Sequence, residues 1–404
     1  MRSIHVIALG LALCAAVPPP AQAEIPQKIK IGVLSDIAGP VSDVAGAGSV
    51  VAARLAIEEY AKSILGNVEV EVIQGDHQNK ADNAAAIARR WLDTEGVNVI
   101  VDVPFSAAAL SVNEVVRRDG KAAFLVSGGG TVELTGAKCS PNTVHWTYDT
   151  YSVANSTARA VVQTGAKSWF FVTADFAFGH SLEAEAAKAV QALDGKVIGR
   201  VRHPFNAPDM SSFVLQAQSS KAEVIGLANS SVDAINAIKV GREFGVVARG
   251  QKIAAMIMLL NDVHALGLEA GQGLYLTEPF YWDFNDATRA FSAKFSPRMK
   301  NARPSMIHAG VYASVLHYMK AVKAANTVDG VAVVAKMKEL PTDDPLFGKG
   351  MVRADGRKIH DMHLFQVKNP SESKGPWDYY KFIRSTPAAE AFRPLAEGGC
   401  PLVK

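Results

Sequence analysis

From Lys28 onward the chain alternates short apolar runs with longer segments of helical periodicity, and this alternation restricts its fold more than any other feature. Strand-like runs fall at 29–34, 68–73, 97–103 and 122–126, with helix-like segments at 48–60, 81–94 and 107–118 between them. After a loop rich in Gly and Thr the pattern restarts. Helices are expected at 152–162, 182–193, 211–219 and 232–244, and strands at 168–173, 196–202, 223–228 and 252–258. Strands separated by helices at this spacing need crossover connections, so they form parallel sheets covered on both faces. Two such runs in series predict an α/β chain of two doubly wound, Rossmann-like lobes. The ending departs from the pattern. A long helix is expected over 304–325, with Ile307, Val311, Val315, Leu316, Tyr318 and Met319 on its apolar side. Segments 350–353 and 363–368 bracket Asp355-Gly356, a turn-forming dipeptide, and read as an antiparallel hairpin.

Length agrees with two cores. The first 23 residues read as an export leader: Arg2 and His5, an apolar run over 6–17, then Ala21-Gln22-Ala23 as a cleavage site before Glu24. The run is too short for a permanent anchor, and a lipid attachment at Cys14 would need a small residue where Leu13 stands. About 380 residues then remain, more than one core usually supports. A formal charge of +3 with no dense Lys/Arg block argues against a nucleic-acid partner. Removing the leader leaves Cys139 and Cys400. In an oxidising compartment two such thiols are expected to pair, tying the C-terminal tail to the body; two unpaired thiols are the alternative, and only their separation decides.

In open parallel sheets ligands bind beyond the carboxyl ends of the strands. After the first strand come Ser35-Asp36, then Ser42, Val44 and the small-residue stretch 46–49; after the third, Pro104-Phe105-Ser106; after the fourth, Ser127-Gly128-Gly129-Gly130-Thr131. Each loop alone reads as ordinary strand-to-helix turn chemistry. Together on one sheet edge they offer amides and hydroxyls to a carboxylate. The second half contributes Phe176 and Phe178, Asn229-Ser230-Ser231, Asn261-Asp262 and Phe280-Tyr281-Trp282, the last expected at the end of a final parallel strand. The phenylalanines and Trp282 have a plain packing reading beside this one.

Enzyme motifs are missing from the sequence. It holds no G-x-x-x-x-G-K-[ST] loop, no complete dinucleotide fingerprint and no G-x-S-x-G elbow. His360 and His363 would face opposite sides of a strand and are expected to be solvent-exposed, not metal ligands. No cofactor or metal is implied.

Several stretches are similar to one family. KIGVLSDIAGP at 30–40, DHQNKAD at 76–82, HWTYDT at 145–150, TADFAFGH at 173–180 and GPWDYY at 375–380 resemble type I periplasmic binding proteins of the leucine/isoleucine/valine-binding family, and the likeness runs through the mature chain. The resemblance implies two lobes joined by three crossovers, 24–146 with 281–349 and 147–280 with 350–404. It implies a monomeric periplasmic component of an ABC importer that closes on a small solute and hands it to a membrane permease. A ligand carboxylate would sit on Ser106 and the 127–131 loop, with Phe178, Asn229 and the 260–262 loop closing over it. Family members that bind amino acids carry an aromatic residue about where Val44 stands, and an acid for the ammonium, a role open to Asp262. Branched-chain or aromatic amino acids and aromatic or keto acids both remain as ligands, and an exported enzyme or a ligand sensor using the same cleft are the rival functions.

Overall fold

The structure, a computed structural model, describes residues 24–403; the leader expected over 1–23 lies outside them. The first sheet is five-stranded and parallel, in the order β2-β1-β3-β4-β5. Its strands are β1 (Lys28–Ser35), β2 (Glu69–Asp76), β3 (Val99–Asp102), β4 (Ala123–Val126) and β5 (Thr143–His145). Helices α1 (Gly46–Leu65), α2 (Ala81–Asp93) and α3 (Ser106–Asp119) make the crossovers. β3 and β4 are buried throughout, which is why they read as continuous apolar runs. On one face Trp91 of α2 lies directly over β1. A Cβ built on Gly32 would stand 2.5 Å from the indole, so only glycine admits the ring there.

Next come α4 (Thr150–Val162), β6 (Ser168–Ala174), α5 (Ala177–Gln191), β7 (Lys196–His203), α6 (Ser211–Ser219), β8 (Val224–Ala228), α7 (Ser231–Glu243) and β9 (Lys252–Ala255). Their strands form a second parallel sheet, β7-β6-β8-β9. The aromatic run of β6 divides by strand alternation. Trp169 and Phe171 enter the core with Leu182 and Ala186 of α5, whereas Phe170 and Val172 pack with Val214 of α6 and Ile235 of α7.

The remainder returns to each sheet in turn. After α8 (Leu260–Leu266), α9 (Leu268–Gly271) and β10 (Tyr275–Glu278) come α10 (Asp286–Phe295), α11 (Met306–Ala325) and α12 (Gly330–Glu339). α11 packs along α1 and against α12, and nearly every one of its residues is buried, so it is apolar all round instead of striped. β11 (Thr342–Asp344), β12 (Gly348–Val352) and β13 (Lys358–Ile359) form a small antiparallel sheet touching α12, and His145 bridges to Arg357. β14 (Met362–Val367) and β15 (Tyr380–Thr386) join β10 in a fourth sheet, also antiparallel, against α4.

Three expectations are corrected here. The Asp355-Gly356 turn does close a hairpin, but β12 pairs with residues 358–359 and not with 363–368: so tight a turn brings together only the residues flanking it, and Gly356 supplies its positive φ of 84°. Residues 363–367 pair with β10 and β15 instead. The strand before Phe280 is therefore antiparallel. His360 is fully buried between Phe347 and Phe392, because the chain turns inward there as it leaves β13, and His363 is only half-buried, stacked on Phe284 at 4.4 Å. The cysteine pairing is as expected: Cys139 and Cys400 are disulfide-bonded, with their Cα atoms 5.7 Å apart. Among the described residues no helix is long and apolar enough to cross a membrane.

Candidate functional site

The carboxyl ends of β1, β3 and β4 face those of β6, β7 and β8 across a narrow cleft. The chain reaches it from β3 through a strained turn: Asp102 and Val103 have φ of 82° and 54°, a conformation costly for a β-branched residue. That turn delivers Phe105 and Ser106 to the wall. Ser106 opens α3 and is buried, its Oγ has no hydrogen-bond partner, and no side chain caps the helix. A hydroxyl and free amides at the positive end of a 14-residue helix form a seat for an anion. Gly128 lies beside it. Gly130, just behind, is close-packed: a Cβ there would come within 2.8 Å of both the Tyr148 and Phe178 rings. Tyr148 donates its hydroxyl to the Gly128 carbonyl at 2.9 Å and forms the cleft floor between the two sheets.

The opposite wall is aromatic. Phe176 stacks on Phe105 with centroids 5.2 Å apart and planes 16° from parallel, and Phe205 lies 5.0 and 5.5 Å from the same two rings. Phe178, Ile257 and Leu259 extend the apolar surface, and Val41, Val44 and Ile307 face them. One acid interrupts it. Asp262 of α8 accepts from the Leu259 amide at 2.9 Å, and burial, with the charge of Asp43 adding to it, pushes its carboxyl up to about 6. Ser230 and Ser231 lie on the same wall, the latter at a φ of 49°. No lysine, arginine or histidine lines the cleft among the described residues.

Of the residues expected at the site, Val44, Phe105, Ser106, Gly128, Phe178 and Asp262 are brought together here. The rest stand behind or beside the wall. Ser42 closes a turn on the Gly39 carbonyl. Ser127 is buried with its Oγ near α11, 3.2 Å from a Cβ built on Gly310. Gly129 packs on Ala109, and Thr131 caps the 3-10 helix Val132–Thr135. Asn229 lies 3.0 Å from His203 Nε2, and Phe280 meets Phe291 edge-on in the core. Trp282 packs as a support: its indole donates to the Trp377 carbonyl and Arg303 lies 4.3 Å above its ring. Phe205 was findable, because it follows β7 at the carboxyl edge of the sheet. Ile307 was not: nothing in the sequence brings one turn of α11 to a cleft built from loops.

The family model described as periplasmic binding protein matches residues 28–376. The chain belongs to the periplasmic binding protein family. It has the type I fold, and the family's members are the solute-binding components of ABC transporters, which act in the periplasm with a membrane permease. A crystal structure of a periplasmic binding protein from Burkholderia mallei is 46% identical, covers 94% of this chain and 100% of its own, and superposes with a TM-score of 0.90. A branched-chain amino acid ABC transporter periplasmic ligand-binding protein from Burkholderia xenovorans is 35% identical over 93% of this chain and all of its own, with a TM-score of 0.83. A solute-binding protein from R. palustris in complex with 4-hydroxybenzoate shares the fold at 19% identity, covering 89% and 97% of the two chains, with a TM-score of 0.80. No match is found among curated protein sequences.

Proposed function

We propose that this binding protein captures an amino acid with an apolar or aromatic side chain and delivers it to an ABC importer. The observation that carries this reading is the charge pattern of the cleft: one buried acid, Asp262, no cation, and otherwise apolar walls. A zwitterion suits it. Its carboxylate takes the Ser106 hydroxyl and the α3 amides, its ammonium pairs with Asp262, and its side chain lies against Phe105, Phe176, Phe178 and Phe205. An anion with no donor would instead set a second negative charge near Asp262 in a poorly solvated space. The four phenyl rings favour one further ligand, a hydroxylated aromatic acid whose hydroxyl donates to Asp262; the R. palustris relative holds 4-hydroxybenzoate.

The clamp closes by rotation about three segments. We place these at 146–149, 279–284 and 360–361, giving one lobe of 24–145 with 285–359 and another of 150–278 with 362–403. The earlier 349/350 boundary moves because β12 and β13 pack with α12 and β5, whereas β14 joins β10. Titration calorimetry of ligand-stripped protein with L-leucine, L-phenylalanine and 4-hydroxybenzoate tests the reading. A dissociation constant near 1 μM, about −8 kcal/mol, is expected for an amino acid, weakened at least about tenfold in Asp262→Asn. Unchanged affinity in that variant would overturn the ammonium assignment, and binding of 4-hydroxybenzoate alone would select the second ligand.

A further inference from the structure

Arg357 is fully buried, yet it reaches no ligand surface. Its Nε donates to the Lys358 carbonyl at 2.9 Å, one terminal nitrogen to the Tyr148 carbonyl at 2.8 Å, and the other to the Trp146 carbonyl at 2.5 Å. The Asp149 carboxylate lies 3.8 Å away and the Phe392 ring 4.7 Å away. Backbone pairing between these two stretches ends at the His145–Arg357 bridge, where the His145 amide donates to the Gly356 carbonyl at 2.9 Å. Beyond the bridge the chains diverge. The guanidinium then supplies the donors that a neighbouring strand would have supplied, to carbonyls two residues apart. Its planar fork can do this; a lysine ammonium or an apolar chain of similar length cannot.

We propose that Arg357 is a positioning residue for ligand capture, locking the first crossing segment to the strand that leads into the third so that the two move as one and seat Tyr148 on the cleft floor. The proposal rests on the hinge reading above. Tyr148 carries it to the site, because its carbonyl is held by Arg357 while its ring lines the cleft and its hydroxyl holds Gly128. Asp149 carries it to the second lobe, because its side chain caps α4. A buried arginine is costly unless its donors are satisfied, and here all three nitrogens are engaged on backbone, two on the first crossing segment and one on β13 beside the third.

Hydrogen exchange on the unliganded wild-type chain is the first test and needs no ligand. Amides of 146–149 and 357–361 should open together, with protection factors equal within about twofold. Independent opening of the two segments would overturn the lock even if every variant failed to fold. The second test is Arg357→Lys, which keeps the charge beside Asp149 but loses the fork. In the folded variant both segments should exchange about tenfold faster, and L-phenylalanine should dissociate about tenfold faster with its association rate nearly unchanged. Wild-type exchange in folded Arg357→Lys would refute the proposal. Failure of L-phenylalanine to bind the wild type would refute the ligand reading and leave the exchange test standing.

Discussion

Asp102 ends β3 beneath the cleft, and removing its charge should stabilise the protein in a pH-dependent way. Its side chain is fully buried, Oδ2 accepts from the Ser35 hydroxyl at 2.7 Å, Oδ1 has no partner, and no cation lies within ion-pair reach among the described residues. Burial pushes the carboxyl from its ordinary 3.8 up to about 7, against the opposing pull of the nearby Ser49 and Ser35 hydroxyls. Above pH 3.8 the unfolded chain loses this proton while the folded chain keeps it. Stability therefore falls as pH rises from that point, and the loss is complete above about 7. The whole effect is about 4 kcal/mol, of which about 2–3 kcal/mol falls between pH 5 and pH 8. Asp102→Asn has the same shape and does not titrate. Melting curves of wild type and variant across that range should therefore diverge, the variant gaining roughly 3 °C relative to wild type by pH 8. Taking the difference cancels other titrating groups, including Asp262. A flat difference from pH 5 to pH 8 would refute the argument, since it would mean that Asp102 is ionised in the folded state with water or a cation beside it.

Ser106→Ala should weaken ligand binding about tenfold by calorimetry, while Ser127→Ala, whose hydroxyl lies near α11, should change it less than about twofold. Binding of an amino acid should weaken as pH falls through about 6, because protonating Asp262 removes the partner of the ammonium; calorimetry at pH 5 and pH 7 reads this directly, with no such loss expected in Asp262→Asn. Gly32→Ala drives a methyl into Trp91 and should cost roughly 1–3 kcal/mol in urea melts. Replacing Cys139 and Cys400 by serine releases a loop closed across 261 positions and should cost roughly 2–5 kcal/mol, visible as a lower melting temperature equal to that of the reduced wild type.

The two parallel sheets were legible because their signal is local. β3, β4 and β8 are buried on both faces and declare themselves as apolar runs, and the helices between them carry their own periodicity. The three-residue strand β5 and the antiparallel sheet were harder. β5 is too short to show a period, and β15 exposes five of its seven residues, Lys381 to Ser385, so its sequence alternates weakly. Pairing partners are non-local, which is why residues 363–368 were read as the far arm of a hairpin when their partners lie near 277 and 382. At the site, the loops after strands were the right places to look, but a loop has an inside and an outside. Ser106 and Ser127 look equivalent in sequence. One opens a helix into the cleft, and the other lies against α11.

The residues around the cleft also account for why a capture protein would carry a strained turn and a buried acid so close together. A receptor that must release its solute gains nothing from a lysine or arginine clamped on a carboxylate. Here the anion seat is made of neutral dipoles, namely the α3 amides and the Ser106 hydroxyl, and the Asp102–Val103 turn, at positive φ, aims them. Asp102 in its neutral form leaves that seat unopposed. Ionised, it would stand just behind it, with Gly128 between them: a Cβ on Gly128 would lie 3.1 Å from Asp102 Oδ1. The acid that stays available for charge is Asp262, on the opposite wall, where an ammonium would meet it. On the proposed reading, attraction to a zwitterion would be divided between two lobes, each contributing one weak half, and full affinity would exist only when the hinge brings both halves onto the same molecule. Opening the proposed hinge would separate the halves, so release would require no change in the chemistry of either one.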